Sequence, residues 1–372
     1  MEYRIEQLLK KGKLWNEVAI EELNKKHIGD VKAKEIVFLC GLGRLVQNKK
    51  PYSFNVIVHG ASSSGKDDLV KAVLELFPEE DVESFGRVSQ KALNYLHNKK
   101  GEPSWTYDGK ILYLEDVEEA VLNNEVMRVF TAGVTKAAIV GDKKAVVLEV
   151  KGKPVVITTT ATTIPTEEIL NRFSIVKLDE SEQQTRSTFS VEEEEYSKDI
   201  LEFVKGLKSY EVDIPFTKKI SKVFPADKVR RRRDFQRFLD LIRAVTIFHQ
   251  QERRGHSTGT IRAELEDYDI AKEVFMNMYS GVADCPLQET DKRIIEVLEK
   301  EKEPISVKEL AARMQGYITI QNLYPHLKNL ESKGILASFE LRDTFNVPFT
   351  KYDLSEEFKA KEPIKLPNSI DL

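Results

Sequence analysis

Apolar residues recur at helical spacing through "YRIEQLLKKGKLWNEVAIEEL" and "AKEIVFLCGLGRLV", which predicts a helical segment over residues 1–50. From Tyr52 the pattern changes. Short apolar runs, "FNVIVHG", "KILYLED", "AVVLEV", "PVVITTT" and "FSIVKLD", alternate with helical stretches as far as Leu178. That alternation predicts a mostly parallel sheet with crossover helices, an α/β core over residues 51–196. Its polar, acidic end carries Glu192 to Glu195, which read as a solvated helix start or loop. Residues 197–284 read as all-helical. Their main element is "RRDFQRFLDLIRAVTIFHQQERR", amphipathic through Phe235, Phe238, Leu239, Ile242 and Val245. "GVADCPL" then makes a linker.

Residues 288–356 follow their own pattern. "TDKRIIEVLEKEKE" predicts one helix. "ISVKELAARMQ" predicts a second, opened by Ser306 with Glu309 at capping-box spacing. "TIQNLYPHLKNLESKGIL" predicts a third, ending at Gly334, and "ASFELRDTFNVPFTKYDL" two strands around a turn. Three helices followed by a β-hairpin describe a winged helix. Residues 357–372 are expected to be a flexible tail.

A chain of 372 residues exceeds one ordinary core. The 57 basic and 61 acidic residues leave a net charge of -4, which excludes a uniformly basic nucleic-acid binder and confines any DNA contact to local patches. Cys40 and Cys285 are too far apart in sequence to read as a disulfide framework or a zinc site. With no signal region and no apolar run of membrane-spanning length, the chain is expected to be soluble and cytoplasmic, with no membrane partner.

"VIVHGASSSGKDDLV" reads as a buried strand, a glycine-and-serine turn and a helix start. Gly60, Ser62, Ser63, Ser64, Gly65 and Lys66 have the spacing of a phosphate-binding loop, whose backbone N–H groups converge on phosphate oxygens. The next residue is ordinarily Ser or Thr, a magnesium ligand; here it is Asp67, followed by Asp68. A carboxylate there still offers Mg2+ an oxygen, and its charge is expected to weaken metal-free ATP binding. "KILYLEDVEEA" ends a strand in Glu115 and Asp116, assigned respectively to the metal and to water activation, with Glu118 as a substitute. "PVVITTTATT" ends in threonines, of which Thr160, then Thr159, suits a γ-phosphate sensor. Arg172, directly before the last apolar run, sits where an arginine finger would; an ion pair with Glu167 or Glu168 is the plainer reading. Arg233 opens the long helix as a second phosphate sensor, while Arg230 to Arg232 suit DNA or surface charge equally.

In their order these motifs resemble the AAA+ ATPases, and more narrowly the minichromosome-maintenance (MCM)-like helicases and primase-associated ATPases of mobile elements. The likeness spans residues 30–255 and is closest in "SSSGKDDLVKAVLELFP", "ILNRFSIVKLDESEQQT" and "RRDFQRFLDLIRA". The resemblance implies an AAA+ P-loop core with a helical lid over 197–284. It implies ATP and Mg2+ bound between subunits of a homo-oligomeric ring, commonly a hexamer, with Arg172 and Arg233 acting on a neighbour's site. It also implies a hairpin before the sensor strand with Lys143 or Lys144 toward single-stranded DNA in the channel, and adds a primase or polymerase as a candidate partner. The missing Ser/Thr, the reversed Glu115-Asp116 pair and the short N-terminal region depart from the family.

In a winged helix the third helix enters the major groove and the wing touches backbone. Gln321, Asn322, Tyr324 and Lys328 are the candidate duplex contacts on that helix, with Lys333 further on and Arg342 on the wing; His326 suits packing or capping. The reading that follows is an ATP-driven DNA helicase or translocase in replication of a mobile element. The alternative is an ATP-switched DNA-binding initiator or helicase loader, and more distantly a small-molecule phosphotransferase.

Overall fold

Burial on both faces turns the apolar runs "VIV", "ILYL" and "VVITTT" into the centre of one sheet. The computed structural model describes residues 2–10, 12–50, 52–60, 63–89, 106–132, 136–141, 144–149, 151–161, 167–189, 194–226, 229–253, 255–257, 259–279, 289–301, 303–314, 316–332, 335–342, 348–354 and 366–369. β1 (Val56–His59), β3 (Ile111–Leu114) and β6 (Val155–Thr160) are buried along nearly all their length, as parallel strands covered by helices on both sides must be. β2 (Val82–Phe85) and β7 (Ser174–Lys177) form the edges. The order is β2-β3-β6-β1-β7, with every pairing parallel. β2 was not among the expected runs, because "VESF" is short, partly exposed and carries a glutamate, as suits an edge.

Register decides where chemistry collects. Val56 pairs with Ile157 and His59 with Thr160, while Leu114 pairs with Thr158. The carboxyl ends of β1, β3 and β6 therefore reach the same edge, where open α/β sheets bind their ligands. The run "AVVLEV" is not part of this sheet. It forms β5 (Lys144–Glu149), paired antiparallel with β4 (Lys136–Gly141) in a separate hairpin.

Helices cover both faces. α1 (Glu2–Lys10) and α2 (Val31–Leu42) come from the N-terminal segment, and α3 (Lys66–Leu74) follows β1. α2 packs on α3 and β6, and its run from Ile36 to Leu42 is buried all round. α4 (Glu119–Leu122), α5 (Glu125–Ala132) and α6 (Glu167–Leu170) supply Val121, Leu122, Met127, Phe130 and Ile169 to a cluster with Ile57, Leu112, Leu114 and Val156. After α7 (Glu182–Ser187), α8 (Lys198–Lys205) receives the N-terminal segment. Buried Glu22 accepts from the Ser197 N–H (3.0 Å) and hydroxyl (2.7 Å) and from Lys25 (3.0 Å). Burial alone would raise the Glu22 pKa; these donors carry it below its ordinary value.

The region expected to be all-helical contains α9 (Thr217–Val223), α10 (Arg231–Phe248) and α11 (Leu265–Tyr279), but also a small sheet. β8 (Glu211–Asp213), β9 (Gly255–Ser257) and β10 (Thr260–Arg262) pair in the order β8-β10-β9. Three-residue strands are too short for periodicity to separate them from loops. α10 is fastened by Arg237, whose buried guanidinium donates to the carbonyls of Leu170 (2.8 Å) and Phe173 (3.1 Å). The expected loose tail also docks at its far end. The Tyr268 hydroxyl donates to the Pro367 carbonyl (2.9 Å), Lys272 to Asn368 (2.9 Å) and Ser369 to Asp269 (2.6 Å), with Leu366 buried beside them. Residues 1–280 with 365–372 thus form one compact unit, and 281–364 a second.

The second unit has helices α12 (Glu289–Lys300), α13 (Val307–Arg313) and α14 (Ile320–Ser332), with β11 (Ile305–Ser306), β12 (Leu336–Arg342) and β13 (Pro348–Leu354) in the antiparallel order β11-β13-β12. Ile294, Leu298, Leu310, Leu323, Leu327, Tyr352 and Leu354 fill its core. The expected capping box forms between Ser306 and Glu309. Arg237→Ala is expected to destabilise the first unit by about 3 kcal/mol, since it leaves the buried carbonyls of Leu170 and Phe173 without this donor and removes the packing of a buried side chain. Denaturant unfolding followed by tryptophan fluorescence measures this directly.

Candidate nucleotide site

The turn between β1 and α3 is built for close approach to its backbone. Ser63 (φ 67°) and Gly65 (φ 84°) both adopt the left-handed conformation, which glycine takes without strain. Residues alternating in this way turn successive N–H groups toward a shared concavity suited to an anion. At Gly60 a side chain has no room: a Cβ there would lie 2.4 Å from the Ser64 hydroxyl oxygen. That Ser64 oxygen is buried with no hydrogen-bond partner among the described residues. Lys66 opens α3, is 5% exposed, and holds its Nζ 3.8 Å from Asp67 Oδ2. Burial, then the charge of Lys177, lowers the His59 pKa beside this loop, with Lys66 adding to the effect. An orphaned hydroxyl, a buried ammonium and a helix N-terminus fit phosphate oxygens. Ser62 lies outside the described residues.

The acidic end of β3 meets this loop through β6. The Asp116 N–H donates to the Thr159 hydroxyl oxygen (2.8 Å), and that hydroxyl in turn donates to Asp67 Oδ1. The Tyr113 hydroxyl donates to the same Asp67 oxygen (3.3 Å). Asp116 is exposed and holds a left-handed backbone (φ 44°). Glu115 is half-buried, its carboxylate 2.8 Å from the ammonium of Lys71 on α3. Asp67 and Glu115 present oxygen donors of the kind Mg2+ takes, and no group of three His, Cys, Asp or Glu among the described residues is placed to cage a metal alone. Sites that hold Mg2+ by one or two carboxylates complete its shell with substrate phosphates and water.

Thr159, ranked second in the sequence reading, is the threonine that touches Asp67. The Thr160 side chain is also buried, and its carbonyl accepts from the Gly60 N–H (3.5 Å). Successive strand residues face opposite sides, so the pairing of β6 with β1 and β3 decides which threonine turns toward α3. Arg172 donates to the Leu122 carbonyl (3.0 Å) and lies 3.5 Å from the Glu168 carboxylate. Reaching a neighbouring subunit would require giving up these contacts. Arg233 is exposed in the first turn of α10, whereas Arg231 turns to the buried Asp234 (3.3 Å). Lys143 lies outside the described residues, and Lys144 opens β5 opposite Gly141. In the second unit Gln321, Asn322, Tyr324 and Lys328 are exposed on α14 and Arg342 at the end of β12, while His326 is held 2.7 Å from Asp291.

One contributor escaped the sequence reading. His27, ahead of α2, places Nδ1 2.7 Å from Asp68 Oδ2 in the first turn of α3 and Nε2 3.3 Å from Asp30. Its ring lies so near Gly65 that a Cβ there would come within 3.3 Å. Asp30 also accepts from the Asp179 N–H beyond β7 (2.7 Å), and Gln184 donates to the Ile28 carbonyl (2.7 Å). The turn His27–Asp30 thus spans from the phosphate-loop helix to the chain leaving β7. The sequence signal was the short polar turn "HIGD", with Gly29 at φ 77°, but nothing local tied it to residues forty positions away.

Burial alone would lower the His27 pKa; hydrogen bonds to Asp30 and Asp68 raise it above its ordinary value, and Lys34 opposes them. His27 in turn is the main cause holding the Asp68 pKa down. A raised histidine contributes stability fully below its unfolded pKa of about 6.5 and loses it as pH rises through the folded value. The lowered Asp68 contributes above about pH 4 and loses it as pH falls further. Relative to His27→Gln, the wild type is expected to gain about 1 kcal/mol at pH 5.5 and to lose most of that by pH 9. Thermal midpoints of the two proteins at both pH values test this.

A family model for the MTBMA_p00010 P-loop domain matches residues 2–225, more than half of the 372-residue chain. No curated protein matches. The matched span takes in α1, the His27 turn, the phosphate loop, the acidic end of β3 and the threonine tip of β6, and stops short of α10. The chain belongs to the MTBMA_p00010 P-loop domain family, and its first unit is built on a nucleotide-binding P-loop fold.

Proposed function

We propose that this protein is an ATP-driven DNA helicase or translocase of AAA+ type, closest to the MCM-like branch, serving replication of a mobile element. The observation that carries the reading is the insertion of β6 between the phosphate-loop strand β1 and the acidic strand β3. That order is expected of additional-strand ATPases. It sets the Thr159 hydroxyl between Asp67 of the phosphate-loop helix and the backbone N–H of Asp116, the residue read as orienting the attacking water.

In this reading the loop N–H groups, the Ser64 hydroxyl and Lys66 bind the β- and γ-phosphates of ATP. Bound Mg2+ neutralises charge on the phosphate oxygens. Asp67 and Glu115 would hold it, directly or through water, and Glu115 would have to leave Lys71 to do so. Asp116 orients water in line with the γ-phosphate. Arg172 and Arg233 complete a neighbouring subunit's site in a ring, with a hexamer as the expected form. The β4–β5 hairpin, through Lys143 or Lys144, grips single-stranded DNA, and α9 to α11 act as the lid. The three helices and three-stranded sheet of the second unit act as a winged helix, with α14 toward duplex DNA.

The resting contacts Arg172–Glu168 and Glu115–Lys71 favour the second reading, an ATP-switched initiator or loader that assembles without processive unwinding. Lys66→Ala is expected to lower DNA-stimulated ATP hydrolysis at least about 100-fold, since the lysine's charge-assisted contacts act on the transferring phosphoryl group. Steady-state ATPase with single-stranded, duplex and no DNA tests the reading. Absence of hydrolysis with every DNA sinks it, and strand displacement on a fork separates helicase from switch.

A further inference from the structure

Asp67 is the position at which this loop departs from the usual hydroxyl, and the departure comes with two supporting side chains. Its Oδ1 takes hydrogen bonds from the hydroxyls of Thr159 and Tyr113. Its Oδ2 stays on the side of Lys66, 3.8 Å from the ammonium. Tyr113 and Thr159 are themselves fully buried, so neither is free to follow the carboxylate if it swings. The Thr159 hydroxyl is further committed by the Asp116 N–H. The result is a carboxylate fixed with one oxygen occupied and the other beside the phosphate-binding lysine.

We propose that Tyr113 and Thr159 are positioning residues that lock Asp67 so that the site accepts a nucleotide only as its divalent-metal complex. The inference rests on the reading of this loop as a live nucleotide site. A metal-free nucleotide triphosphate or diphosphate brings several negative charges against a carboxylate that cannot turn away, and Asp67 screens Lys66 from them. Asp67 would be the residue that offers an oxygen to a divalent cation arriving with the nucleotide, and the positive charge so supplied would offset that repulsion. Among the described residues no three side chains would cage the metal alone, so the nucleotide's phosphate oxygens would have to supply further ligands. Metal and nucleotide therefore favour each other's binding by the same factor, as linkage requires.

The test is equilibrium titration of the full chain with a fluorescent ADP analogue, in excess Mg2+ and in EDTA. Wild type is expected to bind about 1,000-fold more tightly with Mg2+, the scale of one unit charge near 4 Å at an effective dielectric of about 20. Asp67→Asn and Asp67→Thr are expected to bring that ratio below about 10-fold, chiefly by tightening binding in EDTA. Tyr113→Phe and Thr159→Val, which free the carboxylate, should raise the Mg2+ concentration for half-saturation about 5-fold, and Thr159→Ser should restore it. A purely structural role would lower thermal stability without moving the Mg2+ requirement. Equal wild-type affinity with and without metal overturns the inference and leaves the nucleotide reading standing. An unchanged Mg2+ requirement in Tyr113→Phe and Thr159→Val overturns their positioning role. Failure to bind with Mg2+ present overturns the nucleotide reading itself, and the inference with it.

Discussion

The first unit depends on one constraint: β6 must lie between β1 and β3 with its last threonines level with the phosphate loop. Six consecutive buried positions, three of them threonine, satisfy the constraint at some cost, because each hydroxyl inside the sheet needs a partner. Thr158 finds the Leu114 carbonyl at 2.7 Å, and Thr159 links the Asp116 N–H to Asp67. The strand therefore knits β3 to α3 by side chains as well as by its ladder. A shift of register by one residue would turn Thr159 to the other face of the sheet and break its link between the Asp116 N–H and Asp67.

The N-terminal segment is joined to this framework by buried polar groups rather than by apolar contact alone. Glu22 and Lys34 are fully buried, the first satisfied by Ser197 and Lys25, the second by Asn24 and the carbonyl of His27. Burial pulls the Lys34 pKa down to about 7, against the attraction of Asp30. Such groups add little net stability, yet they penalise any other docking of the segment, since each would be left unpaired. That selectivity is what aims His27 at the first turn of α3.

Much of this is legible in the sequence. The spacing of Gly60, Gly65 and Lys66 and the apolar strand ending in Glu115 rest on local pattern, and local pattern survives folding; the hairpin was implied only by the family resemblance, since the run "AVVLEV" by itself suggested a strand of the main sheet. The choice between Thr159 and Thr160 was not legible, because it turns on the parity of β6 against its neighbours. His27 was hidden by a separation of 41 residues from Asp68. β2 and the strands of the small sheet were hidden by shortness and polarity, and the docking of Leu366 to Ser369 by its dependence on hydrogen bonds rather than an apolar run. The partners of Asp67 were beyond reach for a related reason: Tyr113 lies within the apolar run "KILYLED", where nothing in the sequence separates it from the core residues around it.

The docked end of the chain has a consequence for how the two units fold. Because residues 366–369 return to α11, the whole of 281–364 is a closed loop as far as the first unit is concerned. Closing a loop carries an entropy cost that depends on the effective length of flexible chain between its ends, rising by about 0.6 kcal/mol for each doubling. An unfolded second unit presents the full contour, and a folded one shortens it to its own terminal spacing and connectors. Three hydrogen bonds and one leucine on α11 thus sense whether the second unit is folded. The two units are thermodynamically linked through chain connectivity, whether or not they share a surface.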